Sequence, residues 1–253
     1  SAVRGVTLAD NLRDLHRVDG LGRIVGGTLS QRDLVTIMRE RAPAAILVHG
    51  YNWDINARGD ENAHVGQYDP WRAWVGESAF GFAWPSDRSL WDAWTNGRVH
   101  PYHRAWDVAG TGAAHGLWRV LKACEAADID TRILCHSLGS RVALEALVVG
   151  AFVVSPERVV LLNGAEYSDS AREIAREIPA CEFVNVAVRT DAVLRFFGAL
   201  FAPGKLYAPV IGRHGVENAP DNWHDLILDS KKTRELAKSH GWNVRGDNPR
   251  RLS

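Results

Sequence analysis

The apolar residues of this chain fall into short continuous runs, set between longer stretches in which they recur at helical spacing. The runs at residues 44–48, 80–84, 130–135, 158–162 and 183–188 read as short buried strands, and residues 223–229 alternate apolar and polar as a final strand does. Ser30, with Asp33 three residues on, marks a capped helix start, and Leu34, Val35, Ile37 and Met38 carry the helical spacing up to Pro43. The same spacing predicts helices over 99–124, 142–149, 168–178 and 231–238. The third of these has Ser168 as N-cap and Pro179 just past its end. Strands alternating with helices predict an α/β fold, a mostly parallel central sheet with helices on both faces.

Two regions are less regular. Residues 1–29 carry Asp19-Gly20 and Gly26-Gly27 between short apolar runs, which predicts turns joining one or two first strands. Residues 52–78 are polar and turn-rich, with Asp60-Glu61-Asn62 and Asp69-Pro70, and connections of that length usually serve function. Seven of the ten tryptophans (Trp53, Trp71, Trp74, Trp84, Trp91, Trp94 and Trp106) lie between residues 53 and 106. They read either as an aromatic wall in a lid-like insertion around residues 52–106 or as core beneath a long loop.

Composition narrows the function classes. A chain of 253 residues with 46% hydrophobic content is long enough for one sizeable core, so residues 1–253 are expected to form a single domain. Thirty basic residues balance thirty acidic ones, without a basic run to follow a phosphate backbone, which excludes nucleic acid as an expected partner. The most apolar stretch, 142–154, is broken by Glu145 and too short to span a bilayer. Cys124, Cys135 and Cys181 are odd in number, lack C-x-x-C spacing and lie in apolar elements, so they read as free buried thiols of a cytoplasmic protein.

Chemistry concentrates where the run at 130–135 meets a helix, in Cys135-His136-Ser137-Leu138-Gly139. In a G-x-S-x-G turn the serine is held on a sharp strand-to-helix corner that exposes its hydroxyl and aims the next N–H at a developing oxyanion. Ser137 is then the nucleophile candidate and Leu138 one oxyanion donor, with Cys135 as a small residue in place of the first glycine. The run at 44–48 stops at His49-Gly50-Tyr51, the place and composition from which such a fold draws its other donor. Other motifs carry less. Gly20-Leu21-Gly22 and the stretch 110–116 lack the spacing of a nucleotide loop, and close helix packing accounts for the second. His100 and His103 have a metal pair's spacing without a third ligand nearby in sequence, so no metal site is expected.

Three elements in order, His49-Gly50-Tyr51, Phe82-Ala83-Trp84-Pro85-Ser86 and His136-Ser137-Leu138-Gly139, make the chain resemble the α/β-hydrolases of the serine esterase and lipase type over residues 44–229. The likeness is to a poorly characterised bacterial branch that carries these same elements. The resemblance implies hydrolysis of a carboxylic ester or related small acyl compound through an acyl-enzyme on Ser137, with Gly50, Tyr51 and Leu138 at the oxyanion and without metal or organic cofactor. It implies an acid after a strand beyond the serine, where Asp191 fits and Glu166 and Asp169 are the alternatives. The histidine should follow the last strand, which points to His240. His224 starts that strand and His214 precedes it, and a histidine beyond Ser253 is the remaining alternative. The competing readings are a binding or scaffold protein that keeps the sheet without the full triad, and an acyltransferase or lyase on the same serine.

Overall fold

A computed structural model describes residues 14–18, 24–25, 30–51, 53, 63–76, 78–84, 86, 101–149, 153–188 and 209–228. The predicted helix start closes as a capping box: the Asp33 N–H donates to Ser30 Oγ at 3.2 Å, and the Asp33 carboxylate accepts the Ser30 N–H at 2.8 Å. This opens α1 (Gln31–Arg41), which buries Leu34, Ile37 and Met38.

Eight strands form one sheet: β1 (Asp14–Val18), β2 (Ile24–Val25), β3 (Ala45–Val48), β4 (Phe80–Ala83), β5 (Arg132–His136), β6 (Arg158–Leu162), β7 (Glu182–Ala187) and β8 (Trp223–Ile227). Their order is β2-β1-β4-β3-β5-β6-β7-β8, and the six from β4 to β8 are parallel throughout. β1 adds to β4 in parallel, and β2 closes that edge antiparallel. The one or two strands expected in residues 1–29 are therefore a hairpin at the sheet's edge.

Side chains alternate across the sheet with the period of two. Ile46, Val48, Phe80, Phe82, Ile133, Cys135, Val159, Leu161 and Phe183 join the larger core. That face is covered by α1, by the run from α3 (Pro101–Val108) to α4 (Ala114–Ala126), by α5 (Gly139–Val148) and by α6 (Ser168–Glu177). Ala45, Leu47 and Leu134 point the other way and pack under Tyr68 and Trp71, from the π-helical turn His64–Tyr68 and α2 (Asp69–Val75). The sheet has helices on both faces.

Two local expectations are corrected. The polar stretch 52–78 contains α2, because Asp69-Pro70 is a helix start: proline at the first positions of a helix gives up no hydrogen bond, and the acidic residue favours the first turn. Ser168 is not the N-cap of α6. Tyr167 takes that place in extended conformation, and the Ser168 N–H donates to Pro209 O at 2.9 Å. A bridge between Tyr167 and Val210, with Ile211 N–H on Glu166 O and Gly212 N–H on Gly164 O, makes a small ribbon just before and within α7 (Ile211–His214). A long-range pairing thus decides where α6 begins.

The stretch 110–116 is helical. Residues Ala109–Ala113 form a π-helical turn that joins α3 to α4, and a Cβ at Gly110 would stand 2.4 Å from the Arg141 guanidinium. Close packing is the reason for that glycine. Cys124, Cys135 and Cys181 are free and buried, and burial pushes the Cys135 thiol up to about 12, so it stays protonated and inert.

Candidate active site

From β3 the chain steps to β4 on one side, then crosses back to β5 on the other. The carboxyl ends of β3 and β5 therefore flank the point where the winding reverses, which is where open parallel sheets leave a crevice for ligands. His49, Gly50 and Tyr51 follow β3, and Ser137 follows β5.

Ser137 sits in left-handed conformation, with φ at 52°, which costs a non-glycine residue about 1 kcal/mol or more and needs surrounding structure to hold it. Its N–H donates to Leu162 O at 2.9 Å, and its carbonyl accepts the Ala165 N–H at 2.9 Å and the Ser140 N–H at 3.0 Å. Both ends of the turn are thus tied to β6 and to α5. Leu138 opens α5, and the first amides of a helix have no acceptor within it.

Two glycines let the β3 and β5 corners meet. A Cβ at Gly139 would lie 2.4 Å from His49 O and 2.6 Å from Val48 O, so only glycine lets α5 rest on the end of β3. A Cβ at Gly50 would lie 2.9 Å from both the Ser137 Cβ and His136 O. Of the residues expected at the oxyanion, Gly50 is thus brought beside Ser137, Leu138 follows the serine in the chain, and Tyr51 follows Gly50.

On one side of Ser137 lies a neutral network. Tyr68 Oη accepts the His49 N–H at 2.9 Å and donates to Phe82 O at 2.5 Å. His49 Nε2 stands 3.1 Å from the Trp84 N–H and Nδ1 stands 2.9 Å from Gly50 O, while the Trp84 indole N–H donates to His49 O at 2.9 Å. Ser86 Oγ, also buried, lies 3.4 Å from His49 Nδ1 and accepts the Trp53 N–H at 3.3 Å. The first two sequence elements are one hydrogen-bonded unit, a coupling that residues 35 and 37 apart do not advertise.

On the other side lies a charged one. Arg141, one turn beyond Ser137, donates to Glu166 Oε2 at 2.6 Å and to Trp106 O at 3.1 Å, lies 3.2 Å from Glu145, and places its guanidinium 4.2 Å from the Trp106 ring centre. Glu166 is fully buried, and its other oxygen accepts the Tyr167 N–H at 2.7 Å. Burial pushes the Glu166 carboxyl above its ordinary value, and Arg141, shared among several acceptors, offsets only part of this. As an alternative acid Glu166 is already committed to Arg141. Asp169, the other alternative, is an exposed partner of Arg172 at 2.7 Å in the first turn of α6.

Asp191 and His240 lie outside the described residues. β7 ends on the same edge as β5 and two strands away, about 10 Å across, and Asp191 follows it by four residues. His224 pairs in register with Val184 near the start of β7, is half exposed, and lies 3.8 Å from Glu182. That places it away from Ser137. His214 is carried to the carboxyl edge by the ribbon of residues 209–212, a position its place before β8 did not suggest.

Of the seven tryptophans between residues 53 and 106, Trp84 and Trp71 are core, Trp53 and Trp106 are partly buried, and Trp74 is 61% exposed; Trp91 and Trp94 lie outside the described residues. Trp71 presents its ring edge-on to His136 at 6.5 Å. His100 lies outside them as well. No cluster of potential metal ligands and no helix long and apolar enough to cross a membrane occurs among the described residues. A cavity of about 150 Å³ lined by Leu121, Thr131, Val154 and Pro156 lies at the opposite, amino edge. No family model and no curated protein matches this chain.

Proposed function

We propose that the protein is a serine hydrolase of the α/β-hydrolase type that cleaves a carboxylic ester or related acyl compound through an acyl-enzyme on Ser137. The observation that carries this reading is the left-handed Ser137 at the switch point, with Gly50 against its Cβ and the first amide of α5 next to it. A strained serine is kept where several contacts hold it, and such strain clusters at reacting groups. In the reaction the Ser137 hydroxyl gives its proton to a histidine base as Oγ attacks the acyl carbon, and the Tyr51 and Leu138 amides receive the oxyanion. Collapse expels the alcohol with that proton, and water then releases the acid by the same steps.

Asp191 is the acid of this reading, supported by its place after β7, and His240 is the base. Cytoplasmic location is supported by three buried reduced thiols. The test is covalent labelling by a fluorophosphonate followed by intact mass. One adduct is expected on the unaltered protein and none on Ser137→Ala. Labelling that persists in Ser137→Ala removes the assignment. Turnover should be lost in His240→Ala with the fold retained; full turnover there moves the base elsewhere, with His214→Ala the next variant to assay.

A further inference from the structure

We infer that His49, in its Nδ1–H tautomer, is the positioning residue that orients the Gly50–Tyr51 peptide as an oxyanion donor; the inference rests on the hydrolase reading. Two contacts select this tautomer independently. The Gly50 carbonyl can only accept, so Nδ1 at 2.9 Å carries the proton. The Trp84 backbone N–H can only donate, so Nε2 at 3.1 Å offers its lone pair. The ring is completely buried and stacks on Trp84 with 6° between planes, so it cannot swing out of either contact without unpacking.

In a trans peptide the C=O and the N–H point in opposite directions, and no peptide among the described residues is cis. A Gly50 carbonyl drawn to the imidazole therefore directs the Tyr51 N–H away from it. Gly50 itself abuts Ser137, so the peptide that carries this amide starts beside the serine. Trp84 holds both the ring and the His49 carbonyl, and Ser86 joins Nδ1 to the Trp53 backbone. The end of β4 thereby sets the direction of an amide that follows β3, which is preorganisation of a donor before charge develops.

Two substitutions separate the halves of the imidazole. The amide nitrogen of His49→Asn falls where Nδ1 stands and keeps the donor to Gly50 O; the amide oxygen of His49→Gln falls where Nε2 stands and keeps only the acceptor for Trp84. The readouts are the rate of fluorophosphonate labelling at Ser137 and the NMR shift of the Tyr51 amide. Labelling is expected to slow about a hundredfold in His49→Gln, as for loss of one oxyanion donor, and less than about tenfold in His49→Asn. The Tyr51 amide should shift in the former alone. Wild-type labelling in His49→Gln with an unmoved amide overturns the inference and leaves the hydrolase reading standing. An unreactive wild-type Ser137 with the amide still responding removes the hydrolase reading and supports the His49 orientation. Should His49→Gln not fold, the imidazole nitrogen spectrum of the unaltered protein decides: protonated Nδ1 with unprotonated Nε2 supports the inference, and the reverse tautomer overturns it.

Discussion

Two polar clusters near Ser137, one buried around His49 and one partly buried around Arg141, are built on opposite principles. Around His49 every group is neutral, and the bonds that end on backbone N–H and C=O groups have a donor and an acceptor that chemistry assigns. Around Arg141 a single cation is shared by Glu166, Glu145, the Trp106 carbonyl and the Trp106 ring. The neutral cluster fixes directions, because each bond is lost if its peptide turns. The charged cluster fixes positions, drawing α3, α5 and the loop after β6 to one point with little demand on angle. A reacting serine needs both: a corner that does not move, and amides that face one way.

The largest effect should come from breaking the charged cluster. Glu166→Ala takes from Arg141 its buried carboxylate and leaves it Glu145 and Trp106, so the loss in urea unfolding is expected at the lower end of a broken buried pair, about 3 kcal/mol. The double variant Arg141→Met with Glu166→Leu should recover most of that, since apolar replacement of both partners removes the stranded charge. A single-variant loss under about 1 kcal/mol, the range of surface pairs, would erase the contrast between the clusters.

Tyr68→Phe tests the neutral side. Its hydroxyl serves both the His49 N–H and Phe82 O, and its loss takes a hydrogen-bond partner from two buried groups, for about 1–3 kcal/mol. Because no charge is involved, the cost should be the same at low and high salt, and a strong salt dependence would contradict the assignment.

The finest distinction is in pH. The Glu166 carboxyl, ordinarily at 4.5, is raised by burial, so above pH 4.5 the folded state binds more protons than the unfolded one. The contribution of this group to stability is thus full below 4.5 and is lost as pH rises through the folded value. Glu166→Gln should remove that decline, whereas Tyr68→Phe should leave it intact. Unfolding free energies over a pH series read both, and an unchanged slope in Glu166→Gln would assign the decline to other groups.

Local signals were legible in proportion to how local their causes are. The Ser30 and Asp33 box involves residues three apart, and it closes as read. The helix at 69–75 was not legible, because an aspartate before proline serves turns and helix starts alike, and what decides between them is burial of Tyr68 and Trp71 against Leu47 and Leu134. Ser168 looked like a cap by its type, but the ribbon with residues 209–212 supplies the constraint that makes Tyr167 the boundary. Glu166 looked like a possible acid until Arg141, 25 positions away, is found on it.

By itself the sequence determined the alternation of strands and helices, hence the layered α/β architecture, and the residue types at the serine corner and after β3, because periodicity and small-residue spacing are written within a few positions. Only the tertiary structure decided that Gly50 touches Ser137, that His49 is a buried strut tied to Trp84 and Ser86, and that Glu166 is held by Arg141. These depend on which strands become neighbours in the order β4-β3-β5-β6, and that order follows from the handedness of the crossovers and the packing of whole faces, which no single stretch of chain contains.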